Sequence, residues 1–379
     1  MNKSRIAWLL NSAFFYWHPT LSEFTRLFPQ TTVFAGWWKG YAPGFEDSFP
    51  VEVLGNHKVL PIIRSSTSYG SNFTYLPLNI VNRLLNFKPH LIFSNSFGVW
   101  TILALLLKPV GKWRVVIAYE GSSPGVDYRN SAARLAVRRA MVQAADACIT
   151  NSQAGKTYLI EILKAKADRV FAKPYEVPDS KALLENSKDS EFNVSELQHP
   201  IFLFVGSVTP RKGLHLLLEA CTVLEKQNFH NYTLLIVGDG AQREELEGFC
   251  QNANLTERVK WLGSRDYGQL GTFFRATDIF VLPTLEDTWG VVVSEAMVVG
   301  KAILCSKWAG AAEMVVDGEN GYIFDPYNPE KLAEMMSRFI SNPDLISSMG
   351  DKSQQLMAQH TPKSAAMFLA EVTSSVLND

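Results

Sequence analysis

Short apolar runs, each closed by glycine, proline or a charge, alternate with longer amphipathic stretches along almost the whole chain. Runs of that length bounded by such residues read as buried strands, and the longer periodic stretches as helices. In the first half the strand-like runs fall at 5–10, 31–35, 90–94, 114–119 and 146–150, with helical patterns at 97–107 and 131–144. In the second half Ile201 to Val205, Tyr232 to Val237, Val259 to Leu262, Asp278 to Leu282 and Ala302 to Cys305 repeat the scheme. Strand and helix in alternation build parallel sheets with crossover helices. A polar stretch at 180–198, rich in Ser, Asn, Asp and Glu, breaks the pattern and places a linker at 183–198. The expected architecture is therefore α/β, with two Rossmann-like doubly wound parallel-sheet domains facing a cleft, at 1–185 and 198–361. The closing segment Pro362 to Leu377 reads as an amphipathic helix, and 362–379 can pack back on the first domain. Ligands of such sheets bind beyond the carboxyl ends of the strands.

The chain's 379 residues suit two cores better than one. Lys and Arg number 36 against 37 acidic residues, a net charge of -1, so no basic excess points to nucleic acid. Cys148, Cys221, Cys250 and Cys305 are scattered and none forms a C-x-x-C pair. They read as buried thiols in a reducing compartment, with neither a disulfide frame nor a zinc site. Met1 to Arg5 leads directly into Ile6–Leu10, which reads as a first strand and lacks a signal-peptide cleavage pattern. Phe97 to Leu107 is too short to cross a bilayer. These features predict a cytoplasmic protein and leave room for peripheral contact with the inner face of the plasma membrane.

The chemistry concentrates in the second half. Asp278 to Leu282 is a strand stopped by Pro283, followed by the acidic loop Glu286-Asp287 and by Gly290, where a helix can start. The free N–H groups of a helix start can face an anion. Asp287 lies on the loop and Glu295 about one turn inside the helix, so a phosphate held there has carboxylates on either side to accept hydrogen bonds from hydroxyls. Upstream, a strand ends at Val205, Gly206 permits close backbone approach, and Arg211 and Lys212 supply fixed positive charge suited to a diphosphate. Each element also has a plain structural reading: a basic loop before a helix, an acidic loop with Thr288 as a helix cap, and Trp289 as core packing rather than a ring wall. The loop Trp308 to Glu313 reads either as a tight turn or as a backbone lying close to a ligand, while Asp239 and His215 read as turn and surface residues.

Together, Gly206 to Gly213, Val237 to Gly240 and Pro283 to Gly300 resemble the second domain of retaining glycosyltransferases of family 4, in glycosyltransferase group 1, with GT-B architecture. Asp287-x7-Glu295-Ala296-Met297-x-x-Gly300 has the spacing of that family's Glu-x7-Glu signature, and Asp317 to Phe324 is similar to its D-G-x-N-G-x-x-F segment. The resemblance covers 200–340. It implies a hexosyltransferase that moves a sugar from a nucleoside diphosphate donor, a UDP-sugar or GDP-sugar, to a hydroxyl acceptor with retention, in glycan, polysaccharide or glycolipid synthesis. By carry-over, Lys212 and Arg211 hold the diphosphate together with N–H groups at Gly290, Val291 and Val292. Asp287, with Glu286 competing for the role, contacts sugar hydroxyls, Glu295 takes the ribose, and Gly206 lies close to the donor. No cofactor or metal is implied.

The sequence departs from the pattern in four places: Asp287 stands where glutamate is usual, and Ser207 where arginine is usual. Asn11 to Pro19 replaces a glycine-rich turn, and Tyr119-Glu120-Gly121 replaces a first-domain histidine. His18, with Trp17 beside it, and Glu120 are the acceptor candidates, while aromatic-rich loops such as the one holding His18 and Trp17 more often read as core. Arg134, Arg138 and Arg139 form either a solvated face or one that meets an anionic lipid surface. A degenerate sugar-nucleotide-binding module and a GT-B sugar-nucleotide epimerase are the competing functions.

Overall fold

The computed structural model describes residues 3–55, 58–63, 65, 67–69, 71–185 and 197–378. Among the described residues the strands are β1 Ile6–Leu10, β2 Thr31–Ala35, β3 Val51–Val53, β4 Lys58–Ile63, β5 Ser71–Tyr75, β6 Leu91–Asn95, β7 Arg114–Ala118, β8 Ala147–Thr150 and β9 Val170–Ala172. In the second half they are β10 Ile201–Val205, β11 Thr233–Val237, β12 Val259–Gly263, β13 Ile279–Leu282, β14 Ala302–Ser306 and β15 Gly321–Phe324. One parallel sheet runs β3-β2-β1-β6-β7-β8-β9 and a second β12-β11-β10-β13-β14-β15, while β4 and β5 form an antiparallel ribbon. In both large sheets the order reverses beside the first strand, the mark of a doubly wound Rossmann-like sheet.

The chain divides into two compact units. The first comprises Met1–Arg64, Gly70–Val177 and His360–Asp379, and the second Ser65–Tyr69 and Pro178–Gln359. The division at Val177 and the expected boundary after residue 185 differ by the helix Ser180–Glu185, whose Leu183 is buried in the second unit's core. Residues 186–196, most of the expected linker, lie outside the described residues.

Each central strand is apolar on both faces because helices cover both. Along β1, Ile6, Trp8 and Leu10 enter one core while Ala7 and Leu9 enter the other. Along β10, Phe202 and Phe204 face one core and Ile201 and Leu203 the other. This period-two sorting within an all-apolar run is what a sheet buried on both sides requires. The helix Pro362–Asn378 adds Ala365, Phe368, Leu369, Val372 and Val376 to the first unit's core. That core is strongly aromatic: Trp8 stacks on Phe93 at 4.3 Å between centroids, and Trp17 on Tyr175 at 5.5 Å. Among the described residues, no helix is long and apolar enough to cross a membrane. All four cysteines are buried free thiols.

Candidate functional site

In the second unit, two loops at the carboxyl ends of β10 and β13 are tied to each other by backbone bonds. After β10 the turn Pro210–Lys212 closes at Gly213, which has φ +69 and sits so close to Pro283 that an added Cβ would lie 2.0 Å from its carbonyl oxygen. Only glycine fits a left-handed position pressed against backbone. The Arg211 carbonyl then accepts from the Leu285 N–H at 2.8 Å and from the Thr284 hydroxyl at 3.1 Å. The basic turn is thus anchored to the loop that carries the acids.

Side chains complete the link. Lys212 Nζ donates to Asp287 Oδ2 at 2.5 Å, and Arg211 donates to the Glu286 carbonyl at 2.6 Å. The Lys212 stem passes over Gly206, its Cδ 3.9 Å from where a Cβ on that glycine would stand. Asp287 and Glu286 are both buried. Burial pushes the Asp287 carboxyl up, but the Lys212 ammonium, the bond it donates, Arg211 and the Tyr69 hydroxyl outweigh this and hold it below the usual carboxylate range. The loop is braced from β14 as well: Asp287 N–H donates to the Trp308 carbonyl, Gly310 N–H to the Asp287 carbonyl, and Ala311 N–H to the Trp289 carbonyl. The Trp308–Glu313 loop is therefore a packed brace. Trp289 is buried in the core rather than set as a wall.

The helix Val291–Val298 begins at Gly290, which has φ +91 and takes the cap position. Thr288 is not the cap, because the left-handed glycine turns the chain into the helix two residues later and no side chain caps it. Among the described residues no side chain caps this helix start, so the first N–H groups, at Val291 and Val292, can face another partner. One turn on, Glu295 is buried, and burial raises its carboxyl to about 7 against the opposing hydrogen bond from Tyr267. Tyr267 lies in the turn after β12 and carried no sequence signal. Arg211, Lys212, Glu286, Asp287 and Gly290 are thus brought together, a combination of fixed cations, free N–H groups and acceptor carboxylates that can hold an anion beside hydroxyls.

A second group of residues escaped the sequence reading. Ser68 and Tyr69, in the short segment that divides with the second unit, reach the same acids. Ser68 Oγ donates to Glu286 Oε2 at 2.5 Å, and the Tyr69 N–H to the same oxygen at 3.1 Å. Tyr69 OH donates to Asp287 Oδ1 at 3.1 Å, and the Arg211 guanidinium carbon lies 4.1 Å from the Tyr69 ring centroid.

In the first unit the acceptor candidates separate. His18 is completely buried among Phe15, Tyr41 and Phe49, accepts the Ala42 N–H at 2.9 Å, and burial lowers its ring to about 4. Its enclosure favours the core reading of this aromatic loop over an acceptor pocket. Trp17 is buried likewise. Glu120, just past β7, is half-buried and accepts from Asn95 Nδ2 at 3.0 Å. A cleft of about 460 Å³ opens in this unit between Asn11, Phe97, Gly98, Tyr128, Arg134 and Arg138. The expected basic face is largely committed internally: Arg138 donates to the Val126 carbonyl and Tyr158 hydroxyl, Arg139 to the Ile162 carbonyl, and Arg134 stacks over Tyr128.

With this geometry in hand, known proteins provide a comparison. Residues 185–356 match the family described as glycosyl transferases group 1. An uncharacterized glycosyltransferase of Methanocaldococcus jannaschii is 25% identical over 50% of this chain and 52% of its own length. Alpha-D-kanosaminyltransferase of Streptomyces kanamyceticus is 26% identical over 44% of this chain and 43% of its own. The chain spans about half the length of the curated relatives it matches. Among solved structures, Anabaena HepE in complex with UDP superposes with a TM-score of 0.74 at 21% identity, covering 98% of this chain and 100% of that one. The fold is thus that of GT-B glycosyltransferase structures, two Rossmann-like parallel-sheet domains.

Proposed function

We propose that this protein is a retaining glycosyltransferase of family 4 that moves a hexose from a nucleoside diphosphate donor to a hydroxyl of a glycan, polysaccharide or lipid acceptor. The observation that carries the reading is the Lys212–Asp287 pair, set on a loop that runs straight into an uncapped helix start at Gly290. Such a place offers positive charge and N–H donors to a diphosphate and a carboxylate to the adjoining sugar. A UDP-sugar is the donor class we favour, since HepE, the fold neighbour, is solved with UDP and with UDP-glucose.

In this mechanism the bond from the anomeric carbon to the diphosphate breaks as the acceptor oxygen bonds to the same face. The departing phosphate oxygen takes the acceptor's proton, so no separate base is required. Lys212, Arg211 and the N–H groups of Val291 and Val292 stabilise the charge that develops on the diphosphate, while Glu295 accepts hydrogen bonds from the ribose. Because side-chain cations do this work, we expect no divalent ion to be needed. Turnover should persist in excess EDTA, and its loss, restored by magnesium or manganese, would assign that charge to a metal.

The raised Glu295 carboxyl gives a signed pH dependence. Below its value of about 7 the group is protonated, whereas a carboxylate is the better acceptor for ribose hydroxyls. UDP affinity should therefore rise as pH increases through 7 and level off above it, with proton release on binding. In Glu295→Gln that part of the profile should be absent. Titration calorimetry of both proteins from pH 6 to 8.5 checks this, and parallel profiles would remove Glu295 from the ribose site. Incubation with labelled UDP- and GDP-sugars and an acceptor extract tests the activity itself: transfer of label with anomeric retention is expected. Nucleotide binding without transfer or hydrolysis would leave only a binding module.

A further inference from the structure

We propose that Ser68 and Tyr69 stand in for the donor sugar before donor binds, so that the sugar must displace them to reach Glu286 and Asp287. The inference rests on the donor-site reading above and adds a competitor to it. Three features of the contact set carry it. Both carboxylates on the acidic loop are already satisfied by hydroxyls: Ser68 Oγ on Glu286 at 2.5 Å and Tyr69 OH on Asp287 at 3.1 Å. The Tyr69 hydroxyl also accepts from the Thr288 N–H at 3.4 Å, so it uses one donor and one acceptor of the loop at once. A sugar hydroxyl would use the same pair, and the next hydroxyl round the ring would use the neighbouring carboxylate. Finally, the Tyr69 ring lies against the Arg211 guanidinium at 4.1 Å, covering a cation otherwise suited to the diphosphate.

The arrangement is not ordinary core packing. Ser68 and Tyr69 remain partly exposed while the acids they meet are buried. Their segment is only Ser65–Tyr69, taken from the connection between β4 and β5, whereas the flanking chain divides with the first unit. Buried carboxylates short of hydrogen bonds are costly, and two protein hydroxyls supply them here. A donor sugar then binds only if it supplies equivalent hydroxyls in exchange. The consequence is specificity: a sugar lacking one of the two hydroxyls would leave one of these carboxylates a hydrogen bond short and would fail to displace the stand-in.

The two parts of a nucleotide sugar should respond differently. Tyr69→Phe keeps the ring on Arg211 and deletes the competing hydroxyl. It should tighten UDP-glucose binding by about tenfold and leave UDP binding within about twofold. Ser68→Ala, on the other contact, should shift the same way and guards against a folding defect in the first variant. Calorimetric titration of the full chain and both variants with UDP-glucose, UDP, GDP-mannose and GDP reads this directly. Weaker or unchanged nucleotide-sugar binding in both variants, with wild-type binding intact, overturns the stand-in while leaving the donor site in place. Failure of the wild-type protein to bind any of the four probes overturns the donor-site reading, and the stand-in with it.

Discussion

Replacing Lys212 by alanine should lower turnover by about a hundredfold or more, since a single well-placed donor at developing negative charge contributes about 2.7–4 kcal/mol. The same substitution should destabilise the protein in a pH-dependent way. Asp287 is buried, and its carboxyl is held below the usual range only because Lys212, Arg211 and Tyr69 outweigh the burial. In wild type this depressed group contributes stability that is present above its unfolded value and is lost as pH falls through the folded one. Without the ammonium, burial is opposed more weakly and the folded carboxyl rises. The penalty of ionising it then grows as pH climbs from the acid range toward neutrality. The difference in urea midpoint between Lys212→Ala and wild type should therefore widen between pH 4 and pH 7. A constant difference would mean that the two side chains are not coupled, and unchanged turnover would remove Lys212 from the diphosphate site. Lys212→Arg keeps the charge and should recover much of the stability, with less of the activity, because the planar fork does not occupy the place of an ammonium.

The second large effect belongs to Gly213. Alanine there meets two obstacles: a left-handed φ of +69, which costs about 1–2 kcal/mol for a residue with a side chain, and a Cβ 2.0 Å from the Pro283 carbonyl oxygen, which forces backbone apart. The turn Pro210–Lys212 should move away from the acidic loop, and the bonds from Leu285 N–H and Thr284 Oγ1 to the Arg211 carbonyl should weaken. We expect a clear drop in thermal midpoint together with loss of UDP binding, because one anchor serves both. Gly248→Ala is the matching control. It lies within the helix Arg243–Asn252 with open space around it, and alanine there should be neutral or slightly stabilising. If Gly213→Ala behaved like the control in both assays, the anchoring role would be wrong.

What could be read from the chain follows from how locally each feature is encoded. Strands such as Ile201–Val205 are buried on both faces, so every residue is apolar and the run announces itself between polar punctuation. Val51–Val53 and Val170–Ala172 are only three residues long, too short to rise above the background, and were missed. The sequence expectation placed Arg211, Lys212, Asp287 and Gly290 at one site because each lies between the end of a strand and the start of the next helix, and the carboxyl ends of neighbouring parallel strands must meet. His18 shows the opposite case: its aromatic surroundings allow either an acceptor pocket or core packing, and only the packed structure, which closes those residues round it, distinguishes the two. Ser68 and Tyr69 stand more than two hundred positions from the acids they touch, and no periodicity or motif reports such a contact.

The most direct test of the central claim is a crystal structure of the full chain with UDP bound. The account predicts the diphosphate within hydrogen-bond reach of Lys212 Nζ and of the N–H groups at Val291 and Val292, with the ribose hydroxyls on Glu295. A diphosphate bound elsewhere, with Lys212 and the helix start at Gly290 untouched, would contradict it.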